Sequence, residues 1–308
     1  MKKVLFATTA LVATAGVAAA DVTFGGYGRF GLYHDDSAAN ETIIESRFRL
    51  VVTATAESDN GLSFGAQIRY QANENTTNAF NTPRFWVSTG PFTVSVGQTL
   101  GAIENMPNMY TGSIGLTGLT YSNVVYNFGA DAYTSGAAGR QGLDVIYASG
   151  NWGVHLTYSP DQTTQNSSST STNERLAGHV SYTMGNYTFA LGAQTSDVVT
   201  DTDLAVTIGG TWGNLSAALM YADNGAADDK YGIGFNYQVG AATFIRGYIN
   251  TDNAANAYST SGENYGIGFQ HRLGGGTFIE GGIANVRNGA AAATSDRTVA
   301  DLGLRFSF

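Results

Sequence analysis

The chain has 308 residues, with 40 glycines, 17 tyrosines, 16 phenylalanines, only four prolines and no cysteine. Without cysteine there is no disulfide framework, no thiolate chemistry and no cysteine-ligated metal. A net charge of −9, from 15 basic and 24 acidic residues, argues against nucleic acid and against an anionic membrane surface as partners.

The amino end reads as an export signal. Lys2 and Lys3 make a basic start, Val4 to Val17 is an apolar stretch too short to cross a bilayer as a helix, and Ala18-Ala19-Ala20 supplies small residues for cleavage. Residues 1–20 are therefore expected to be removed, with Asp21 as the mature start and a net charge of −11 from thirteen basic and 24 acidic residues. No Pro/Ser-rich linker or charge shift divides residues 21–308, which read as a single domain. No later apolar run reaches the roughly 18 residues of a membrane-spanning helix.

From Val22 onward the pattern has a period of two. Val22, Phe24, Phe30 and Leu32 alternate with Thr23, Tyr27 and Arg29; then Phe48, Leu50, Val52 and Ala54 alternate with Glu45, Arg47, Arg49 and Thr53. Alternation of this kind puts apolar residues on one face of a strand and polar ones on the other. Asp59-Asn60-Gly61 is a hairpin turn signal. The spacing predicts sixteen strands, near 22–33, 43–57, 62–71, 82–89, 92–99, 142–149, 152–160, 174–184, 187–196, 203–212, 215–223, 230–239, 242–252, 262–273, 276–288 and 297–308. Mean hydropathy is close to zero, as in a soluble protein, but a membrane barrel averages out in the same way.

Connections alternate in length. Seven short turns, such as Gly90-Pro91, Gly150-Asn151 and Gly213-Asn214, alternate with eight longer polar loops, which places both chain ends on the short-turn side. Such a pattern predicts an all-β, 16-stranded antiparallel transmembrane barrel. The third long connection, residues 100–141, is far longer than a compact domain usually carries, yet it is rich in Met106, Met109, Tyr110, Ile114, Leu116 and Leu119. Side chains of that kind need something to pack against, so this loop is expected to fold into the barrel lumen. A β-sandwich also uses period-two strands, but it would need large residues on a second face, where Gly232, Gly234, Gly266 and Gly268 fall instead. Whether residues 121–128 form a further strand is open.

Three stretches resemble a known family: VTFGGYGRFGLYHDD after the cleavage site, Tyr110 to Leu119 in the long loop, and the final strand Val299 to Phe308 with Leu302, Leu304, Phe306 and Phe308 alternating. Together and in this order they resemble the general-diffusion porins of Gram-negative outer membranes, most of all those of purple alphaproteobacteria. The resemblance implies a homotrimer of barrels with periplasmic termini, contacts with outer-membrane lipid and lipopolysaccharide, a third loop acting as constriction, and recognition by the barrel-assembly machinery through Phe308. It implies passive diffusion of ions and small hydrophilic solutes through a water-filled channel, and no catalysis.

Charge placement gives the expected pore its chemistry. Arg29, Arg47, Arg49, Arg69 and Arg84 all fall on polar faces in the first four strands. Opposite them stand the acids of the long loop, Glu104 and Asp131, with Asp144 just beyond. Opposed charges at the narrowest point would orient dipolar solutes. Similar porins usually carry more carboxylates on this loop, some binding calcium; here Asn, Ser, Thr and Gly dominate, so no metal site or cofactor is expected. Asp223 with Asp228 and Asp229, or Asp201 with Asp203, could hold calcium weakly, although acids in external loops are usually just solvated. The alternative is a substrate-selective channel with a saturable site, which a lumenal aromatic ladder would favour; by parity only Tyr27, Tyr33 and Trp86 point inward. Gly26-x-Gly28-x-x-Gly31 lies within a strand and lacks the helix of a dinucleotide site. An enzyme would need one of His34, His155, His179 or His271 beside a nucleophile; His155 and His179 share polar-face parity on nearby strands.

Overall fold

The computed structural model describes residues 21–74, 79–126, 141–160, 174–197, 201–225, 229–252, 262–287 and 296–308. The strands are β1 (Asp21–Asp35), β2 (Thr42–Glu57), β3 (Ser63–Asn73), β4 (Ala79–Phe80), β5 (Arg84–Thr89), β6 (Phe92–Gly97), β7 (Gly142–Ser149), β8 (Trp152–Ser159) and β9 (Arg175–Met184). They continue as β10 (Tyr187–Ser196), β11 (Asp203–Trp212), β12 (Leu215–Asp223), β13 (Asp229–Gln238), β14 (Thr243–Asp252), β15 (Gly262–Gly274), β16 (Thr277–Arg287) and β17 (Asp296–Ser307). Each pairs antiparallel with its neighbours, and β1 pairs with both β2 and β17, so the sheet closes on itself.

β4 and β5 are two pieces of one barrel strand, since both pair with β3, and the ring therefore has sixteen strands. The break falls at Asn81-Thr82-Pro83, where proline has no N–H to give the ladder. Tyr70 stands opposite Phe80 but Gln67 opposite Arg84, so three residues of one strand face two of the other. This is a β-bulge, and it reverses the facing of everything after it. Phe80 and Phe85 both point outward, and Arg84 points inward; without the extra residue Arg84 would share the lipid-facing parity of Phe80.

Alternation along the strands sorts the rest. Phe24, Ile44, Leu156, Leu191, Leu219, Ile267, Ile283 and Leu302 are exposed around the outside, an apolar band that only a bilayer would cover. A sandwich is excluded because the closed ring has no second sheet to bury that face. At the seam the chain ends meet: Gly26 N–H donates to Phe308 C=O at 2.9 Å, Phe308 N–H to Gly26 C=O at 3.2 Å, and the Phe308 ring stacks on Phe48.

The buried apolar core is inside the barrel. Ala102, Ile103, Met106, Met109, Val125 and Tyr126 pack on Ala177, Ala190, Ala205, Met220 and Ala222 of the inner wall. Ile114 and Leu119 pack on Tyr248, Ala284, Val286 and Val299. Through Tyr126 the segment is not a strand; its regular structure is a single 3-10 turn, Leu119–Tyr121. Residues 127 and 128 lie outside the described residues.

Candidate functional site

The inward segment is tied to the wall strand by strand. Ala102 N–H donates to Thr157 Oγ1 of β8 at 3.2 Å, and His179 Nδ1 of β9 donates to Ala102 C=O at 2.6 Å. Asn108 Nδ2 reaches Thr188 C=O of β10 at 3.2 Å, and Thr207 Oγ1 of β11 donates to Pro107 C=O at 2.6 Å. Asn250 Nδ2 of β14 donates to Ser122 C=O at 2.5 Å. On β17, Asp301 accepts from Leu116 N–H at 2.9 Å, Thr117 N–H at 2.7 Å and Thr117 Oγ1 at 2.7 Å. Arg29 Nη1 of β1 then donates to Leu116 C=O at 3.1 Å.

Small residues make room for this path. A Cβ on Gly234 would lie 2.1 Å from Thr111 O, and one on Gly303 would lie 2.6 Å from Leu116 Cδ2. Glycine is needed there because the segment's backbone and side chains run directly over the sheet.

The five arginines lie on β1, β2, β3 and β5, with Arg29 already at the end of the inward segment and the other four on the strands beyond it. Arg29 stands opposite Arg47 of β2 and Arg305 of β17, while Arg49 faces Tyr27, Arg69 faces Val51 and Arg84 faces Gln67. Arg29 Nε donates to Glu45 Oε1 at 2.8 Å in a buried ion pair. Arg47 Nε donates to Asn73 Oδ1 at 2.7 Å and Arg49 Nε to Gln71 Oε1 at 2.8 Å. Neutral amides orient these guanidinium groups without cancelling their charge. Arg69 and Arg84 line a cavity of about 100 Å³ with Gln67, Asn81 and Gln98.

Asp144 is not across the lumen from the arginines but beside one of them. It lies on β7, 1% exposed, with Oδ2 3.5 Å from Arg84 Nη2 and 3.5 Å from His155 Nε2. Glu104 is half-buried within the inward segment and accepts from Tyr110 OH at 3.4 Å. Asp131 lies outside the described residues, as does Asp228; Asp223 faces Asp229 in register. Among the described residues no three His, Asp or Glu side chains gather as a metal site.

Residues 7–291 match the family described as Gram-negative porin. The chain belongs to that family. A porin of Fuscovulum blasticum is 32% identical over 308 residues, covering 94% of this chain and all of that protein. Among solved structures, a five-fold substituted variant of Rh. blastica porin superposes with a TM-score of 0.80 at 26% identity, covering 94% of this chain and 100% of that one. A doubly substituted variant of the same protein gives 0.80 at 27% identity with the same coverage. Family and fold make the protein a diffusion channel of the Gram-negative outer membrane.

Several groups of this porin's lumen were not singled out from sequence. Glu45 and Asp301 could be read as inward by parity, but their partners lie 16 and about 185 residues away. Tyr248, Phe244 and Phe278 also face inward, so the aromatic count of three was too low. In β14 Arg246 and Asn250 share the face of Phe244 and Tyr248, so parity could have turned these rings inward, and pairing of Phe244 with Gln270 and of Asn250 with Asn264 places them there. Tyr248 is buried and bonded to Ser122 Oγ of the inward segment. Just past β3, Glu74 accepts from Ser46 N–H at 2.9 Å. Burial opposes its ionisation, but the N–H groups of Glu74 itself and of Ser46 outweigh this and hold its carboxyl below the usual range. His155 and His179 sit in register, rings edge to face with centroids 5.7 Å apart, with Asp144 beside His155 and the Ala102 carbonyl on His179.

Proposed function

We propose that the diffusion path narrows where residues 101–126 lean from the β8 to β17 wall toward Arg47, Arg49, Arg69 and Arg84. The observation that carries this reading is the course of the inward segment, whose hydrogen bonds run from Thr157 through Asp301 and end on Arg29. That course sets the segment on one arc and the arginines on the other, so water, ions and small hydrophilic solutes pass between them. The field there comes from the arginines facing Glu104 and the backbone dipoles of the segment, while Asp144 tempers Arg84 alone. Water fills the remaining lumen of a barrel this wide.

The assembled form is proposed as a homotrimer with both termini in the periplasm. The low wall of β5 and β6, six residues each, supports this, because a membrane-spanning strand needs about 9–11 residues and so low a wall, with Phe85, Phe92 and Val96 facing outward, suits contact with a second copy better than lipid. Removal of residues 1–20 and docking of Phe308 by the assembly machinery belong to the same reading, as do lipid and lipopolysaccharide contacts outside. The test is single-channel recording of the purified protein in planar bilayers with added sugars. Large, linear, nonsaturating conductance arriving in steps of three is expected; absence of conductance overturns the channel reading.

A further inference from the structure

Six consecutive strands of the ring carry, on their inner face near the short turns, an alternating row of rings and guanidinium groups. In spatial order these are Phe244 on β14, Arg272 on β15, Phe278 on β16, Arg305 on β17, Tyr27 on β1 and Arg49 on β2. Arg272 Cζ lies 4.6 Å from the Phe244 centroid. Arg272 and Arg305 both stand opposite Phe278 in register, one from each side. Arg305 Cζ is 4.6 Å and Arg49 Cζ 5.1 Å from the Tyr27 centroid.

A guanidinium stacked on a ring uses its face and keeps its in-plane N–H donors. Stacking also fixes the group, so less side-chain freedom is lost when an acceptor arrives. Arg246 adds a fourth cation and donates to Gln270 Oε1 at 2.9 Å, while the Gln270 amide donates to Glu280. Glu280 is the carboxylate set into this row; Asp21 and Glu57 lie at the rim, six and eight residues further along β1 and β2. Four cations thus face one carboxylate. The buried Nε of Arg305 has no hydrogen-bond acceptor among the described residues, and Arg272 is exposed to the lumen. Arg272 and Arg305 flank β16, so their backbones are about 10 Å apart, two strand spacings. Two flexible arms across that gap can grip one small anion from both sides.

We propose that this row is a binding subsite for small multivalent oxyanions, phosphates and polycarboxylates alike, extending below the narrowing and joined to it at Arg49. The inference rests on the channel reading and gives the channel a preferred solute class. Oxyanions with two or more charges engage several guanidinium forks at once, whereas chloride and acetate do not.

The experiment uses the purified protein in planar bilayers at constant ionic strength, with inorganic phosphate, citrate or acetate titrated from either side into a chloride solution. Phosphate and citrate are expected to reduce chloride current saturably, acetate to leave it unchanged, and the relative potency of the first two identifies the preferred source. In R272Q/R305Q the half-saturating concentration rises roughly tenfold or more, from lost charge-assisted bonds, and the reversal potential in a salt gradient moves toward cation preference. F244L keeps every charge but loosens one stack, so it raises half-saturation by a smaller factor with the reversal potential unmoved; it also decides the matter if the double variant fails to fold. Open channels whose current responds linearly to phosphate and citrate, or a folded double variant with wild-type half-saturation, overturn the subsite while leaving the channel intact. A protein that opens no channel overturns the channel reading itself.

Discussion

Replacing Asp301 by alanine should release the inward segment at its far end while leaving the barrel closed. The carboxylate accepts three bonds from Leu116 and Thr117, at 2.7 to 2.9 Å. Hydrogen bonds to a charged group contribute about 1.5–3 kcal/mol each, but bonds that act together do not add fully. Asp301 is 6% exposed and Leu116 3% exposed, so water does not readily take over the orphaned N–H groups. A net loss of about 3–4 kcal/mol for docking of residues 115–117 follows, a shift of a hundredfold or more in the docked population. The sheet itself persists, because β17 pairs with β1 and β16 through backbone groups that the substitution does not touch. Ties to Thr207 and Asn224 keep the other parts of the segment in place. The assay pairs single-channel recording with limited proteolysis. D301A is expected to show flickering conductance and new cleavage between residues 113 and 121, with unchanged heat-modifiable mobility of the barrel. A quiet trace with a wild-type cleavage pattern would show that Asp301 does not hold the segment.

Three further outcomes follow from the lumen. R29A leaves Glu45 buried without its cation and should destabilise the barrel by about 3–5 kcal/mol in chemical unfolding, with much of the loss recovered in R29A/E45A. G234A puts a Cβ 2.1 Å from Thr111 O, and backbone on both sides cannot yield, so segment docking should weaken by about 1–3 kcal/mol, read as faster proteolysis around Thr111. A carboxyl held below its usual range, as in Glu74, adds stability that is present above that range and is lost as pH falls through the lowered value. Thermal melts of wild type and E74Q should therefore differ at neutral pH and converge in acid; a constant difference at all pH values would assign the effect to packing.

What the sequence by itself determined is the barrel: strand positions, strand number, the short-turn side and the facing of most side chains. These are local properties, because a period of two and a turn signal are written within ten residues, and the outer apolar band makes the facing unambiguous wherever lipid is on one side only. Arg29, Arg47, Arg49 and Arg69 were placed on the lumen wall in this way, and so was Arg84, whose segment carries its own alternation past the bulge. The tertiary structure alone decided what those residues meet. Asp144 lies far along the chain from Arg84 yet stands beside it because β5, β6 and β7 are neighbours in the ring. Residues 101–126 have no period to read, and their path is set by contacts with Thr157, Thr207, Asn250 and Asp301, each on a different strand. The same holds for the row of rings and arginines from Phe244 to Arg49, which exists only because closure sets β17 against β1. Period-two sequence encodes which face a side chain takes; only closure of the ring, a non-local event, encodes its neighbours.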